Sequence, residues 1–379
     1  EDRPRRNRPG AIRMTNSDPG PDPRVDPLRT IDGKPVTADT WPSRREEMRD
    51  AIIPHQYGGM PPAPDATTAV LRCTSMVRGT QLNFCTYEVR VVVQGKEITF
   101  PLYLWIPGGK DAEAAGPKPV VVDGDGCWRY FNDDVVTAIT ARGNIAASFD
   151  RTALAADNRD IYRDTGLYRL FPDAEFGVLS AWAWGFYRCV DVLSTLDCVR
   201  ADQIAITGHS RGGKAVILAG ATDERIALTN PNNSGTGGCS PNHRKTPDAE
   251  VVESFFGSGN IFWFGQDFAA HRGRDHELPY EQHYMHALVA PRHLLVTDAY
   301  EDPGASPPGS YASCVQARRV YEFLGAPEAL GWAFREGGHN HSPQDYEALL
   351  AFMDRVFHGR TVRREFQRPL FPDLDELLS

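Results

Sequence analysis

A serine framed by glycines, set between an apolar strand and a helix, constrains this chain more than any other feature. Residues 207–214 read Thr-Gly-His-Ser-Arg-Gly-Gly-Lys. They follow the apolar alternation Gln203-Ile204-Ala205-Ile206 and lead into Ala215-Val216-Ile217-Leu218-Ala219-Gly220, which has helical composition. Gly208-His209-Ser210-Arg211-Gly212 therefore has the strand-to-helix form of G-x-S-x-G. A serine on so sharp a turn projects its hydroxyl above the sheet, and its neighbours must be small for the backbone to pass. The next N–H groups open a helix, where they can bind a developing oxyanion. An ordinary Gly-rich turn can carry the same letters, so a nucleophile at Ser210 needs a base and an acid from elsewhere in the chain.

The surrounding pattern supplies a sheet for that turn. Short apolar runs at 118–122, 144–149, 203–206, 226–229, 292–297 and 331–334 alternate with helical stretches at 135–142, 175–193, 315–324 and 346–357. Such alternation implies a mainly parallel sheet with helices on both faces, and ligands then sit at the carboxyl ends of its strands. Close-spaced strand patterns at 69–78, 83–93 and 98–106 suit an antiparallel start to the same sheet. The expected fold is an α/β-hydrolase three-layer αβα sandwich, with insertions at the C-terminal edge at about 152–172 and 240–285. A single domain over 41–362 would carry it, preceded by an extended or disordered segment 1–40 and followed by a tail 363–379. A helix is expected to begin at Trp41, with Ser43 as its N-cap and Glu46 closing a capping box. Trp182 and Trp184, in the middle of a helical stretch, are expected in the core.

A serine hydroxyl becomes a nucleophile when an imidazole takes its proton and a carboxylate fixes the imidazole tautomer. In α/β hydrolases these groups follow in the order Ser, acid, His. His339 follows the last strand behind Gly337-Gly338 and is the favoured base over His341. Asp302, on a Pro-Gly turn past the strand at 292–297, is the favoured acid, with Glu301 and Asp298 as alternatives. Gly126, in the loop Asp123-Gly124-Asp125-Gly126-Cys127-Trp128 after an early strand, stands where a second oxyanion donor belongs. Asp-Gly repeats there could suggest calcium, but the spaced ligands and terminal Glu of an EF-hand are missing. No metal or other cofactor is expected.

Composition narrows the partners. With 379 residues and a net charge of −9, the chain is not expected to take nucleic acid as its main partner, since phosphate neutralisation requires clustered cations. Its one basic cluster, Arg3-Pro4-Arg5-Arg6-Asn7-Arg8, lies in a Pro-rich stretch and reads as a solvated arm. No apolar run approaches the ~18–20 residues of a membrane span, and the sequence does not disclose an oligomeric state. Seven cysteines without a C-x-x-C pair speak against zinc-ribbon and thioredoxin-like sites. Cys73 and Cys85 could be joined across a hairpin, which would imply an oxidising compartment.

On a larger set of residues the chain resembles the glucuronoyl esterase family, carbohydrate esterase family 15. The resemblance runs from Trp41 to Gly359 and rests on Trp-Pro-Ser-Arg-Arg-Glu-Glu at 41–47, Glu-Phe-Gly at 175–177, Ala-Trp-Ala-Trp-Gly at 181–185 and Gly-His-Ser-Arg-Gly-Gly-Lys at 208–214. Asn-Asn-Ser-Gly-Thr-Gly-Gly at 232–238, Leu-Pro-Tyr-Glu-Gln-His at 278–283, Ala-Pro-Arg at 290–292 and Arg-Glu-Gly-Gly-His at 335–339 continue it. It implies a metal-free serine esterase, secreted or periplasmic, acting on esters between lignin alcohols and 4-O-methyl-glucuronate of xylan. Ser210 would be the nucleophile and His339 the base, Arg211 would help stabilise the oxyanion, and Lys214 would bond sugar hydroxyls. Trp263, in the family's Trp-Phe pair, would contact substrate. A disulfide between Cys239 and Cys314 is likewise implied.

The chain also departs from that family. Asn233 stands where fungal members carry their catalytic Glu, which favours Asp302, since some bacterial members take the acid from the later strand. Val252 and Asn260 stand where the family's sugar-binding Gln and Glu precede the Trp-Phe pair, and Pro303-Gly304 replaces a Trp. Without those partners a glucuronate site loses affinity. The expected activity is a serine carboxylesterase on a glucuronoyl ester; the alternatives are an esterase of acetylated xylan or small esters, and a non-catalytic carbohydrate-binding relative.

Overall fold

The computed structural model describes residues 25–109, 116–129, 131–371 and 374. Nine strands form one sheet: β1 (Ala66–Met76), β2 (Leu82–Val93), β3 (Lys96–Pro107), β4 (Lys118–Asp123), β5 (Ile145–Phe149), β6 (Val199–His209), β7 (Leu228–Asn232), β8 (His293–Ala299) and β9 (Leu330–Arg335). They lie in the order β1-β2-β3-β5-β4-β6-β7-β8-β9. The first three are joined by tight turns and run antiparallel, β3 meets β5 antiparallel, and every pair from β5 to β9 is parallel. Antiparallel neighbours need only a hairpin, whereas each parallel step needs a crossover, and these crossovers carry the helices.

The helices are α1 (Trp41–Tyr57), α2 (Asp133–Ala141), α3 (Gly166–Leu170), α4 (Val178–Leu193), α5 (Arg211–Thr222), α6 (Val252–Gly257), α7 (Gln266–Ala269), α8 (His283–Val289), α9 (Pro307–Phe323) and α10 (Pro343–Val356). Side-chain alternation along the central strands divides the core in two. Val120, Val122, Ile204, Ile206, Leu294 and Val296 pack on the side of α4, α5, α8 and α9. Val121, Ala205 and Leu295 point the other way, towards Val135 and Ile139 of α2 and Leu349, Leu350 and Met353 of α10. A strand apolar on both faces can be satisfied only between two helical layers, which is the expected αβα sandwich. Trp182 and Trp184 are fully buried in the first of these cores.

Several local expectations are corrected. Helix α1 starts after Thr40, with Pro42 in its first turn and no side-chain cap from Ser43. Residues 25–40 are not a free extension: Val25 and Val36 are buried, and Arg44 donates to the carbonyl of Asp26. The basic cluster of the amino-terminal arm lies outside the described residues. Residues 363–371 dock on β9, where Trp332 donates its backbone N–H to Phe366 O and its indole N–H to Arg368 O.

All seven cysteines are free thiols. In the β1–β2 ladder Cys73 faces Thr86 and Cys85 faces Thr74. That one-residue offset sends the two side chains to opposite faces of the sheet, Cys73 outward and Cys85 inward, so they cannot pair. Cys239 and Cys314 are both buried and near enough to interact electrostatically, yet they remain thiols, and burial raises the pKa of each.

Candidate active site

The elbow forms where β6 ends and α5 begins. Ser210 has φ +55° and ψ −121°, a left-handed conformation that costs a non-glycine residue about 1–3 kcal/mol. Two features hold it. Its N–H donates to Asn232 O at the end of β7 (2.9 Å), and the N–H of His209 donates to Asp125 Oδ2 (2.6 Å). Gly212 is required by the same support, because a β-carbon there would collide with the Asp125 carboxylate. Asp125 is fully buried and pairs with Arg151, whose guanidinium lies 4.2 Å from the Trp128 ring centroid and 4.7 Å from that of Trp182.

The carboxyl ends of three strands bring the expected groups together. His339, on the loop after β9, has Nε2 2.9 Å from Ser210 Oγ. Its Nδ1 lies 2.6 Å from Asp302 Oδ2, on the loop after β8. Asn233, just past β7, donates Nδ2–H to the same carboxylate oxygen at 2.7 Å. Burial pushes the Asp302 carboxyl up, but the hydrogen bonds from His339 and Asn233 outweigh it and its pKa is lowered. A line of hydroxyl, imidazole and carboxylate at these distances lets the imidazole take the hydroxyl proton.

The competing residues have other surroundings. Asp298 is fully buried, which raises its pKa well above the carboxylate range, and accepts from the N–H of Ala299. Glu301 is exposed, its backbone N–H tied to Gly337 O. His341 is buried, with Nδ1 3.0 Å from Tyr346 Oη. Between His339 and His341 lies His209, its ring tilted against the first at a centroid distance of 4.6 Å and stacked with the second at 5.9 Å. Burial lowers the His209 pKa to about 4, so the ring beside His339 is neutral at pH 7.

The predicted binding residues are rearranged. The Gly126 N–H donates to Phe149 O at 3.1 Å, so this amide is already engaged and is not an open oxyanion donor. Trp263 is only 3% exposed and offers little surface to a ligand; it backs Arg211, whose guanidinium carbon lies 4.5 Å from the indole centroid. Lys214 is 2% exposed, and its three ammonium protons meet Ser234 O (2.6 Å), Thr236 O (2.8 Å) and Glu250 Oε2 (2.9 Å). Sequence spacing does not single out Glu250. Its carboxylate is about one-third exposed beside Lys214, and it lies two residues upstream of Val252, which is buried in the core. Only its proximity to the Ser-Gly-Thr-Gly loop marks it, and sequence spacing does not reveal that.

A family model described as "Glucuronyl esterase, fungi" matches residues 89–325 of this chain, well over half of it. A 4-O-methyl-glucuronoyl methylesterase of Schizophyllum commune is 30% identical over 354 residues, covering 90% of this chain and 84% of its own. One of Thermothelomyces thermophilus is 30% identical over 328 residues, covering 83% and 76%. The fold is similar to that of a carbohydrate esterase family 15 glucuronoyl esterase from Caldicellulosiruptor kristjansonii, with TM-score 0.78, 30% identity, and coverage of 93% and 95%. The elbow, the three-layer sheet and these matches agree along nearly the whole chain, which thus belongs to the glucuronoyl esterase family of α/β-hydrolase-fold carboxylic ester hydrolases.

Proposed function

We infer that the chain hydrolyses glucuronoyl esters through an acyl-enzyme on Ser210, with His339 as general base and Asp302 as the acid that orients it. The observation that carries this reading is the unbroken relay from Ser210 Oγ through both His339 nitrogens to Asp302. His339 Nε2 takes the hydroxyl proton as Oγ bonds to the ester carbonyl carbon. Asp302 accepts the Nδ1–H and stabilises the imidazolium that forms. Collapse of the tetrahedral intermediate breaks the ester C–O bond, and the same proton passes to the leaving alcohol. Water then repeats the sequence on the acyl-enzyme, releasing the carboxylic acid and restoring Ser210.

Oxyanion stabilisation falls to Arg211, through the backbone N–H that opens α5 and the partly exposed guanidinium next to the serine. Glu250 is the group that accepts sugar hydroxyls, while Lys214 holds that carboxylate and the 234–236 carbonyls in place. The relatives are named for 4-O-methyl-glucuronoyl esters, and a uronate acyl group suits a site combining a cation with a hydroxyl acceptor. Such esters occur on polymers, so the protein would act outside the cytoplasm. Among the described residues no helix is long and apolar enough to cross a membrane.

Rates on benzyl glucuronate, methyl glucuronate and 4-nitrophenyl acetate test the reading. Hydrolysis of the glucuronates, abolished by Ser210→Ala, is expected. Turnover of the acetate alone would overturn the substrate class, and no turnover of any ester would leave a carbohydrate-binding relative.

A further inference from the structure

Asp157 lies in the polar segment between the short 3-10 turns Arg151–Ala153 and Tyr162–Asp164. Nothing in its sequence context marks it. Its carboxylate is largely buried and receives two side chains of the site at once: Arg211 Nη1 donates to Oδ2 at 2.9 Å and Trp263 Nε1 to Oδ1 at 3.0 Å. Arg211 is thereby fixed on three sides. Asp157 takes one edge of its guanidinium, the Trp263 ring lies 4.5 Å from its central carbon, and the Trp128 ring lies 5.5 Å away. Arg211 Nε is buried and has no hydrogen-bond partner in the resting structure, so one donor of the fork is unspent.

Behind Asp157 stands Arg151, with Nη2 3.9 Å from Oδ2, and Arg151 in turn pairs with the Asp125 carboxylate that supports the His209 amide. The polar segment is thus wired to the nucleophile elbow by alternating charges. A long, flexible arginine loses rotamer entropy when it is fixed, and a donor stabilises a transition state best when it is oriented beforehand.

We propose that Asp157 is a positioning residue for the ester hydrolysis: it holds Arg211 against Trp263 so that the guanidinium faces the negative charge developing on the ester carbonyl oxygen. This rests on the hydrolase reading above. The test is a double-mutant cycle on the full chain, with kcat and KM measured on benzyl glucuronate and 4-nitrophenyl acetate for wild type, Asp157→Ala, Arg211→Ala and the double variant. Asp157→Ala is expected to lower kcat about 10- to 100-fold with KM changed less than about threefold, and the double variant to be no slower than Arg211→Ala alone. Asp157→Asn keeps the side-chain volume and supplies the same comparison if the alanine variant fails to fold.

A kcat within about twofold of wild type for a folded Asp157 variant would overturn the proposal. So would losses that multiply in the double variant, since they would show Asp157 acting independently of Arg211. A wild type active on the acetate alone sinks the glucuronate reading, and the cycle is then read on that ester. A wild type that cleaves neither overturns both.

Discussion

Both hydrogen bonds to Asp302 Oδ2, from His339 and from Asn233, favour the ionised carboxyl against the pull of burial. A carboxyl with a lowered folded pKa contributes stability that is present above its unfolded value, about 3.9, and lost as pH falls through the folded one. Asn233→Ala removes one of the two bonds while leaving the relay intact. It is expected to lower kcat about 3- to 10-fold and to cost about 1 kcal/mol in thermal melts, whereas Asp302→Asn should cost about 10³–10⁴ in kcat because the imidazole loses the acceptor that fixes its tautomer. Unchanged kinetics for Asn233→Ala would mean that its bond is idle. Sequence spacing left Asp298, Glu301 and Asp302 open because all three follow one strand within five positions. Only the turn of the loop decides which carboxyl meets His339, and that turn depends on contacts with residues far away in the chain.

At the level of elements, helix α5 is tied to the loop after β7 and to the insertion before α6 through Lys214. Its ammonium is buried, so exchanging it for an isosteric apolar chain leaves two carbonyls and a carboxylate without their donor. Lys214→Met is expected to lose about 3 kcal/mol or more of unfolding free energy, with KM on glucuronate esters raised through the displaced Glu250. Denaturant titration and steady-state kinetics check the two effects separately. The order and type of the main elements were legible because apolar runs and helical periods are local signals. The sharp elbow was legible because glycine punctuates it. What escaped sequence reading was relational: the β1–β2 register that separates Cys73 from Cys85, the Phe149 carbonyl that occupies the Gly126 amide, and the docking of residues 25–40 and 363–371 on a surface built by others.

Across the whole molecule, histidine is held neutral by burial at several sites. His209 and His293 are lowered to about 4 and His286 to about 3, in each case chiefly by desolvation. Such groups gain protons in the unfolded chain near pH 6.5 but resist them in the folded one, so their contribution to stability falls as pH drops from about 6.5 towards the folded pKa. Buried Asp123 and Asp298, with raised pKa values, act in the opposite sense. A comparison with His286→Gln separates the two: any deficit of the variant at pH 8 should shrink on acidification, by up to about 1.4 kcal/mol per pH unit below 6.5. Parallel stability curves would refute this. The serine conformation extends the same logic to the fold as a whole. The surrounding structure forces residue 210 into a geometry suited to glycine, so the working molecule is less stable than a sequence freed from chemistry would be. Ser210→Gly, expected to be inactive, should therefore melt above Ser210→Ala, which loses the hydroxyl and keeps the strain.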